Sequence, residues 1–275
     1  MPCMQLAIKN LTVSLDPPAG RTLVDNVSLT LGGGSVLAVV GESGAGKSMT
    51  SLAVMGLLPP GVSMTGGDIL LNETSIVHMD REARRAVRNR DIAMIMQNPM
   101  SAFDPLFTIG SHFHETLAAH DLAHGGWRRL AMQALREVGL EDALLESYPF
   151  QLSGGMLQRV MIAIALITSP SFLIADEATT DLDVVSQARV LAILKERQKE
   201  RSLGMLVVTH DLGVAAALAD AVAVMWRGRV VEVGDATELF SNPGHPYTKQ
   251  LLDAHHTLYS EKFFTLRQAF AKAGA

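Results

Sequence analysis

The sequence predicts an α/β fold built on a mostly parallel sheet, and three observations carry that prediction. First, the run Gly41-Glu42-Ser43-Gly44-Ala45-Gly46-Lys47-Ser48 fits the phosphate-loop pattern G-x-x-x-x-G-K-[ST] between a short apolar strand and a helix. Second, Phe172–Ala175 and Met205–Val208 are apolar at every position, as central parallel strands buried on both faces require. Third, residues 184–200 lie between those two runs with the pattern of a crossover helix.

Taken in order, residues 4–31 alternate apolar and polar side chains (Leu6, Ile8, Leu11, Val13, Leu15, then Leu23, Val27, Leu29, Leu31) around a break at Asp16-Pro17-Pro18-Ala19-Gly20, which predicts an antiparallel pair. Gly32-Gly33-Gly34 turns the chain into the strand Val36–Val40. Successive N–H groups of the phosphate loop then point inward as an anion nest, and the start of the helix expected over 48–58 adds its partial positive charge. Lys47 reaches the outer phosphates, and the Ser48 hydroxyl is placed to ligate Mg²⁺. Pro59-Pro60 stops the helix. A short strand follows within 66–72, and another over 92–96 ends at Gln97. Between them, Arg81, Arg84, Arg85, Arg88 and Arg90 read as a charged helix face. A nucleic-acid surface is the sharper reading of that run, but the net charge of −5 speaks against it.

Residues 101–168 are helical in pattern. Of the four histidines there, His120 and His124 are one helical turn apart, yet no cysteine or carboxylate is placed to complete a metal shell, so all four read as surface side chains. Ala221–Met225 and Arg229–Val233 flank a turn at Arg227-Gly228, and a tail begins near Leu239. The composition, 48% hydrophobic and 19% charged, suits a globular chain with a substantial core. A single cysteine, Cys3, leaves no internal disulfide and suggests a reducing compartment. The longest apolar run, near 160–167, is too short for a membrane span, so a soluble, cytoplasmic protein is expected.

Chemistry concentrates at strand ends. Asp176 closes the apolar strand 172–175, where a second acidic group is needed to hold Mg²⁺, and Glu177 beside it has the position of a general base for water. His210 follows the next strand and would face the same crevice, within reach of a γ-phosphate. A second anion site is encoded in Leu152-Ser153-Gly154-Gly155-Met156-Leu157-Gln158-Arg159, where Ser153 suits an N-cap and two glycines open the backbone ahead of a helix. Two phosphate-binding helix starts in one chain suggest two chains meeting head to tail around the nucleotide.

With those motifs assembled, the chain resembles the ATP-binding subunit of an ABC transporter over about residues 5–250. The resemblance implies a phosphate-loop NTPase of the ABC ATPase type. It has a RecA-like core, an N-terminal antiparallel β subdomain and a helical subdomain at about 101–168, within a nucleotide-binding domain at 4–240 followed by a tail at 241–275. It makes Gly41 to Ser48 Walker A, with Met49 extending the ATP contacts, and Gln97 the Q-loop, a further ATP and Mg²⁺ contact beside Ser48 and Asp176. It makes Leu152, Ser153, Gly154, Gly155 and Met156 the signature that binds the partner's ATP. Glu177 becomes the catalytic glutamate, Thr180 with Asp181, Leu182 and Asp183 the D-loop, and His210 the switch histidine.

The implied cofactors are ATP and Mg²⁺. The implied partners are a second ABC ATPase that is a different chain, two integral membrane permeases and a substrate-binding protein acting through them, with no nucleic acid, at the cytoplasmic face of a bacterial inner membrane. Residues 97–105, the Ser-Gly-Gly-Met signature and the stretch Asn242-Pro243-Gly244-His245-Pro246-Tyr247-Thr248 resemble the peptide/nickel importer family. Leu157, Asp181 and the lack of a tail cysteine favour its nickel-importing branch over the peptide-importing one. A soluble ABC ATPase acting on nucleic acid is disfavoured, because neither a coiled-coil insertion nor a second cassette is present. Three departures stand out. Met156 replaces the general signature Gln, Ala178 stands where the family has Pro, and no aromatic precedes Phe103. Leu15 is expected at the position of the adenine-stacking aromatic, which predicts a weakened base contact and tolerance of GTP.

Overall fold

A computed structural model describes residues 4–18, 20–180 and 182–254. Cys3, Asp181 and most of the expected tail lie outside the described residues.

The N-terminal alternation resolves into β1 (Gln5–Leu15) and β2 (Thr22–Gly32), paired antiparallel with Leu6 opposite Leu31 and Ile8 opposite Leu29. β3 (Val36–Val40) enters the phosphate loop, and α1 (Lys47–Met55) leaves it. The helix ends three residues earlier than expected because Gly56 takes a left-handed cap, donating its N–H to Ala53 and Leu52 carbonyls before the prolines are reached. β4 (Val62–Leu71) is longer than expected and, with β5 (Thr74–Ser75), completes a four-stranded sheet ordered β2-β1-β4-β5.

The arginine run sits on and just after α2 (Arg81–Val87), capped by the Asp80 carboxylate. β6 (Ile92–Ile95) stops two residues before Gln97. From there the chain makes a wholly helical excursion: α3 (Pro99–Ala102), α4 (Ile109–Ala118), α5 (Trp127–Glu137), two 3-10 turns, and α6 (Gly154–Leu166). It returns as β7 (Phe172–Asp176), the immediate neighbour of β6. The long apolar run is therefore the buried part of α6, a core helix. No helix among the described residues is long and apolar enough to cross a membrane.

α7 (Val184–Arg201), β8 (Gly204–Thr209), α8 (Leu212–Leu218), β9 (Ala221–Trp226), β10 (Arg229–Asp235) and α9 (Ala236–Ser241) follow. The second sheet is ordered β10-β9-β3-β8-β7-β6, parallel except for the β9–β10 hairpin. The short helices α8 and α9 carry too few residues for a helical period to stand out in the sequence. A further helix spans 246–254, inside the segment expected as a tail.

Strand periodicity divides the core. Leu37 and Val39 of β3 face a layer formed by β1, β2, β4 and α1, whereas Ala38 and Val40 face α8, α9 and the 246–254 helix. A third cluster packs α4, α5, α6 and α7 against β6, β7 and β8. All strand ends that carry functional candidates, at residues 40, 95, 176 and 209, thus emerge on one edge of the parallel sheet. That is the edge where α/β sheets bind ligands.

Candidate nucleotide site

The phosphate loop is shaped by close approach. A side chain at Gly41 would lie 2.2 Å from the Met225 carbonyl, and Gly46, at φ 102°, would press a Cβ to 2.9 Å from the Leu23 carbonyl. Only glycine fits either place. The loop is also stitched to the β9–β10 turn, since the Gly228 N–H donates to the Ala45 carbonyl at 3.0 Å. Lys47 is almost fully buried and folds back, its ammonium donating to the Gly41 and Glu42 carbonyls at 2.9 and 3.0 Å. Burial lowers its pKa, and the nearby Glu177 and Asp176 charges offset part of that.

Ser48 Oγ donates to Asp176 Oδ1 at 3.1 Å, so the loop and the end of β7 meet across the cleft floor. Asp176 is 5% exposed, and burial lifts its carboxyl to about 6 from the usual 3.8, against the opposing hydrogen bond from Ser48. A hydroxyl and a desolvated carboxylate, both hard oxygen donors, fit Mg²⁺: a dication would neutralise the charge that burial penalises. Gln97 takes a different place. Its side-chain amide donates to Glu177 Oε2 at 3.1 Å, leaving its own carbonyl oxygen as the atom available to a cation.

Glu177 is the hub. Thr180 Oγ1 also donates to Oε2 at 3.1 Å, and His210 Nδ1 lies 3.2 Å from Oε1. Its backbone is left-handed at φ 48°, a costly conformation for a non-glycine residue. Two hydrogen bonds hold it, from its own N–H to the Val208 carbonyl at 2.8 Å and from the Thr180 N–H to its carbonyl at 3.0 Å. Ala178 is buried against the core in this turn, so hydrogen bonding and packing brace the segment without a proline.

A cleft of about 930 Å³ gathers Ser43, Gly44, Gly46, Lys47, Ser48, Met49, Gln97, Glu177, Thr180 and His210. Gly41, Glu42 and Ala45 form the back of the loop and do not line it. Its remaining wall is Arg21, Thr22, Leu23, Arg227 and Gly228. Here the structure corrects the expectation for Leu15. That side chain does not line the cleft; its N–H pairs with the Arg21 carbonyl at 2.9 Å, and the turn into β2 presents Arg21 to the cleft instead. Arg21 and Arg227 carry no motif, so only the folded hairpins reveal them.

None of the signature residues lines this cleft. Leu152 is half-buried. Ser153 caps α6 by accepting the Met156 N–H at 3.3 Å, and Ser153 and Gly154 are exposed outside the cleft that their own chain's loop lines. Leu182 is half-buried, and Asp183 caps α7, accepting the Val185 and Ser186 N–H groups at 3.0 Å. His112 and His114 pack edge-on against Phe103 and Trp127, as ordinary side chains of the helical excursion.

The sequence profile of the ABC transporter family matches residues 24–180, more than half of the chain. The chain belongs to the ABC transporter family. Among solved ABC structures, the ATP-binding cassette MJ0796, in a dimeric post-hydrolysis state bound to ADP and phosphate, superposes with a TM-score of 0.74 at 26% identity, covering 84% of this chain and 98% of that one. CbiO1 from Clostridium perfringens, part of the ABC transporter complex cbiONQ, shares the fold with the same TM-score at 24% identity over 95% and 98% of the two chains. Among curated ABC proteins, the nickel import ATP-binding proteins NikD of Brucella abortus and Rhodospirillum rubrum are each 46% identical over 92% of this chain and 96% of their own. The oligopeptide transport ATP-binding protein OppD of Lactococcus lactis is 45% identical over 82% of this chain and 68% of its own. As an ABC ATPase, this chain is an ATP-binding protein.

Proposed function

We propose that this chain is the ATP-hydrolysing subunit of a bacterial importer for nickel or a nickel complex. The observation that carries the proposal is the near end-to-end match to the nickel import ATPases, which spans both chains almost completely. Leu157 after the signature methionine and the D-loop sequence with Asp181 support the same branch. Import of short peptides is the second reading, favoured by the 45% identity to the oligopeptide ATPase. Deleting the gene and measuring radioactive nickel uptake tests the first reading; unchanged uptake overturns it.

In the proposed mechanism the loop N–H groups and the Lys47 ammonium, released from the Gly41 and Glu42 carbonyls, hold the outer phosphates. Ser48, Asp176 and Gln97 would hold Mg²⁺, which when bound neutralises charge developing on those phosphates. Glu177 takes the proton of the attacking water. Its carboxylate is oriented for this by Gln97, Thr180 and His210, and His210 has an exposed ring able to turn toward the γ-phosphate. Binding energy would drive two cassettes together, so that Ser153, Gly154 and Gly155 of one close over the nucleotide held by the other.

Partners follow from the surfaces left open. The exposed Ser153-Gly154 start of α6 fits a second ATPase. A groove of about 440 Å³, lined in part by Arg85, Arg88, Met96, Phe103 and His112, lies between α2 and the helical excursion and fits a segment of a permease. Exposed Leu106 and Phe107 extend that face. A substrate-binding protein would act through two such permeases, which would hold the ATPase at the cytoplasmic face of the inner membrane.

A further inference from the structure

We infer that the C-terminal segment is a working part of the nucleotide site, with Tyr247 as a positioning residue for the phosphate loop. Tyr247 is 6% exposed and packs in the cluster formed by β3, β9, α8 and α9. Its hydroxyl accepts the Glu42 N–H at 3.2 Å across 205 residues of chain. Glu42 is the residue whose carbonyl, with that of Gly41, receives the Lys47 ammonium. The peptide that cradles the lysine is therefore fixed from two sides, by Tyr247 on its donor and by the lysine on its acceptors, with the Met225 carbonyl packed behind Gly41.

A second contact reaches the other wall of the cleft. The Tyr247 ring stacks on Trp226 with centroids 5.2 Å apart and planes at 23°. The Arg227 guanidinium lies 4.6 Å from the same Trp226 ring, and Arg227 is a cleft residue. The segment is itself anchored, because Glu232 on β10 accepts the Gly244 and His245 N–H groups at 2.7 and 3.1 Å. A docked tail thus sets both the lysine cradle and the Arg227 wall, and a lifted tail would release both. Tyr247 lies behind the phosphate loop and does not line the cleft, so its effect acts on affinity.

The inference rests on nucleotide binding in the cleft, and the test separates the two. Titration of the full chain with a fluorescent ATP analogue and Mg²⁺ would compare wild type, Y247F and Y247A, alongside thermal melting and the ATPase kinetics of the assembled transporter. Y247F keeps the stack and loses the acceptor, so its Kd and KM for ATP should rise roughly 2–10-fold, the size of one hydrogen bond, with kcat within about twofold and melting lowered by only a few degrees. Y247A should weaken binding further; if it fails to fold, Y247F alone decides. Wild-type affinity in Y247F, or a fall in kcat at constant KM, overturns the inference. A wild-type chain that does not bind the analogue overturns the reading of the cleft instead.

Discussion

His210 Nδ1 lies 3.2 Å from Glu177 Oε1, while Gln97 and Thr180 both donate to Oε2 of the same carboxylate. Every oxygen of Glu177 is thus engaged before any nucleotide arrives, by side chains from three different loops. Glu177→Gln preserves the shape and removes the base. In the assembled transporter it should lower kcat about 10²–10⁴-fold while leaving ATP binding intact and accumulating a closed dimer, seen by size-exclusion chromatography with ATP. Rapid turnover by this variant would refute the general-base role.

Asp176 stores a charge the fold would rather not bury. Its folded value of about 6 stands above the usual 3.8, so the favourable contribution present below 3.8 is lost as pH rises through about 6, and at neutral pH the ionised group opposes folding. Asp176→Asn should stabilise the nucleotide-free chain at pH 7.5 by on the order of 1–3 kcal/mol, an advantage that shrinks as pH falls through 6. The same variant should lose stabilisation by Mg²⁺ with ATP and lose hydrolysis. Melting curves across pH, with and without the cation, check both outcomes.

The core of the candidate site was legible because phosphate chemistry constrains contiguous residues: eight positions in one loop, an acidic pair at a strand end, a glycine pair at a helix start. The parallel sheet was legible for a similar reason, since β7 and β8 are apolar along their length and turn polar only at their last residues, Asp176 and Thr209. What escaped the sequence depends on chain segments far apart. Nothing local in Arg21 says that the turn into β2 will place it in the cleft wall and leave Leu15 out of it, and nothing in Asn242 to Thr248 says where its tyrosine lands. The stop of α1 at Gly56 escaped for another reason, because prolines three residues later gave a louder signal than a left-handed cap.

Nucleotide choice should be relaxed. No phenylalanine, tyrosine or tryptophan among the described residues lines the cleft, and its two arginines can donate to purine acceptors without the roughly 1–3 kcal/mol of a stacked ring. GTP should bind the assembled complex within about tenfold of ATP, because the two arginines offer donors that acceptors on either purine can take. Parallel titrations measure this, and a strong ATP preference would refute it.

Glu232 ties pH to tail docking. Burial pushes its carboxyl up, but hydrogen bonds, among them those from Gly244 and His245, bring it below the usual 4.5. Its contribution is therefore complete above 4.5 and disappears as pH falls through the lowered folded value. Glu232→Gln should raise amide exchange over 246–254 several-fold at pH 7, and acidifying the wild type should bring its protection factors toward the variant's. Equal protection at neutral pH would show the anchor to be idle.

The outward-facing start of α6 has a genetic consequence. On the proposed head-to-tail pairing, a Lys47 lesion spoils the site held by this chain's own loop, and a Ser153 lesion spoils the site held by the partner's loop. Either lesion alone would leave one sound site in the pair, and a chain carrying both would leave none. Were two copies of this chain to pair, every assembly joining one copy of each lesion would keep one sound site. On that pairing, a single defective allele reveals which half it lacks only by the company it keeps.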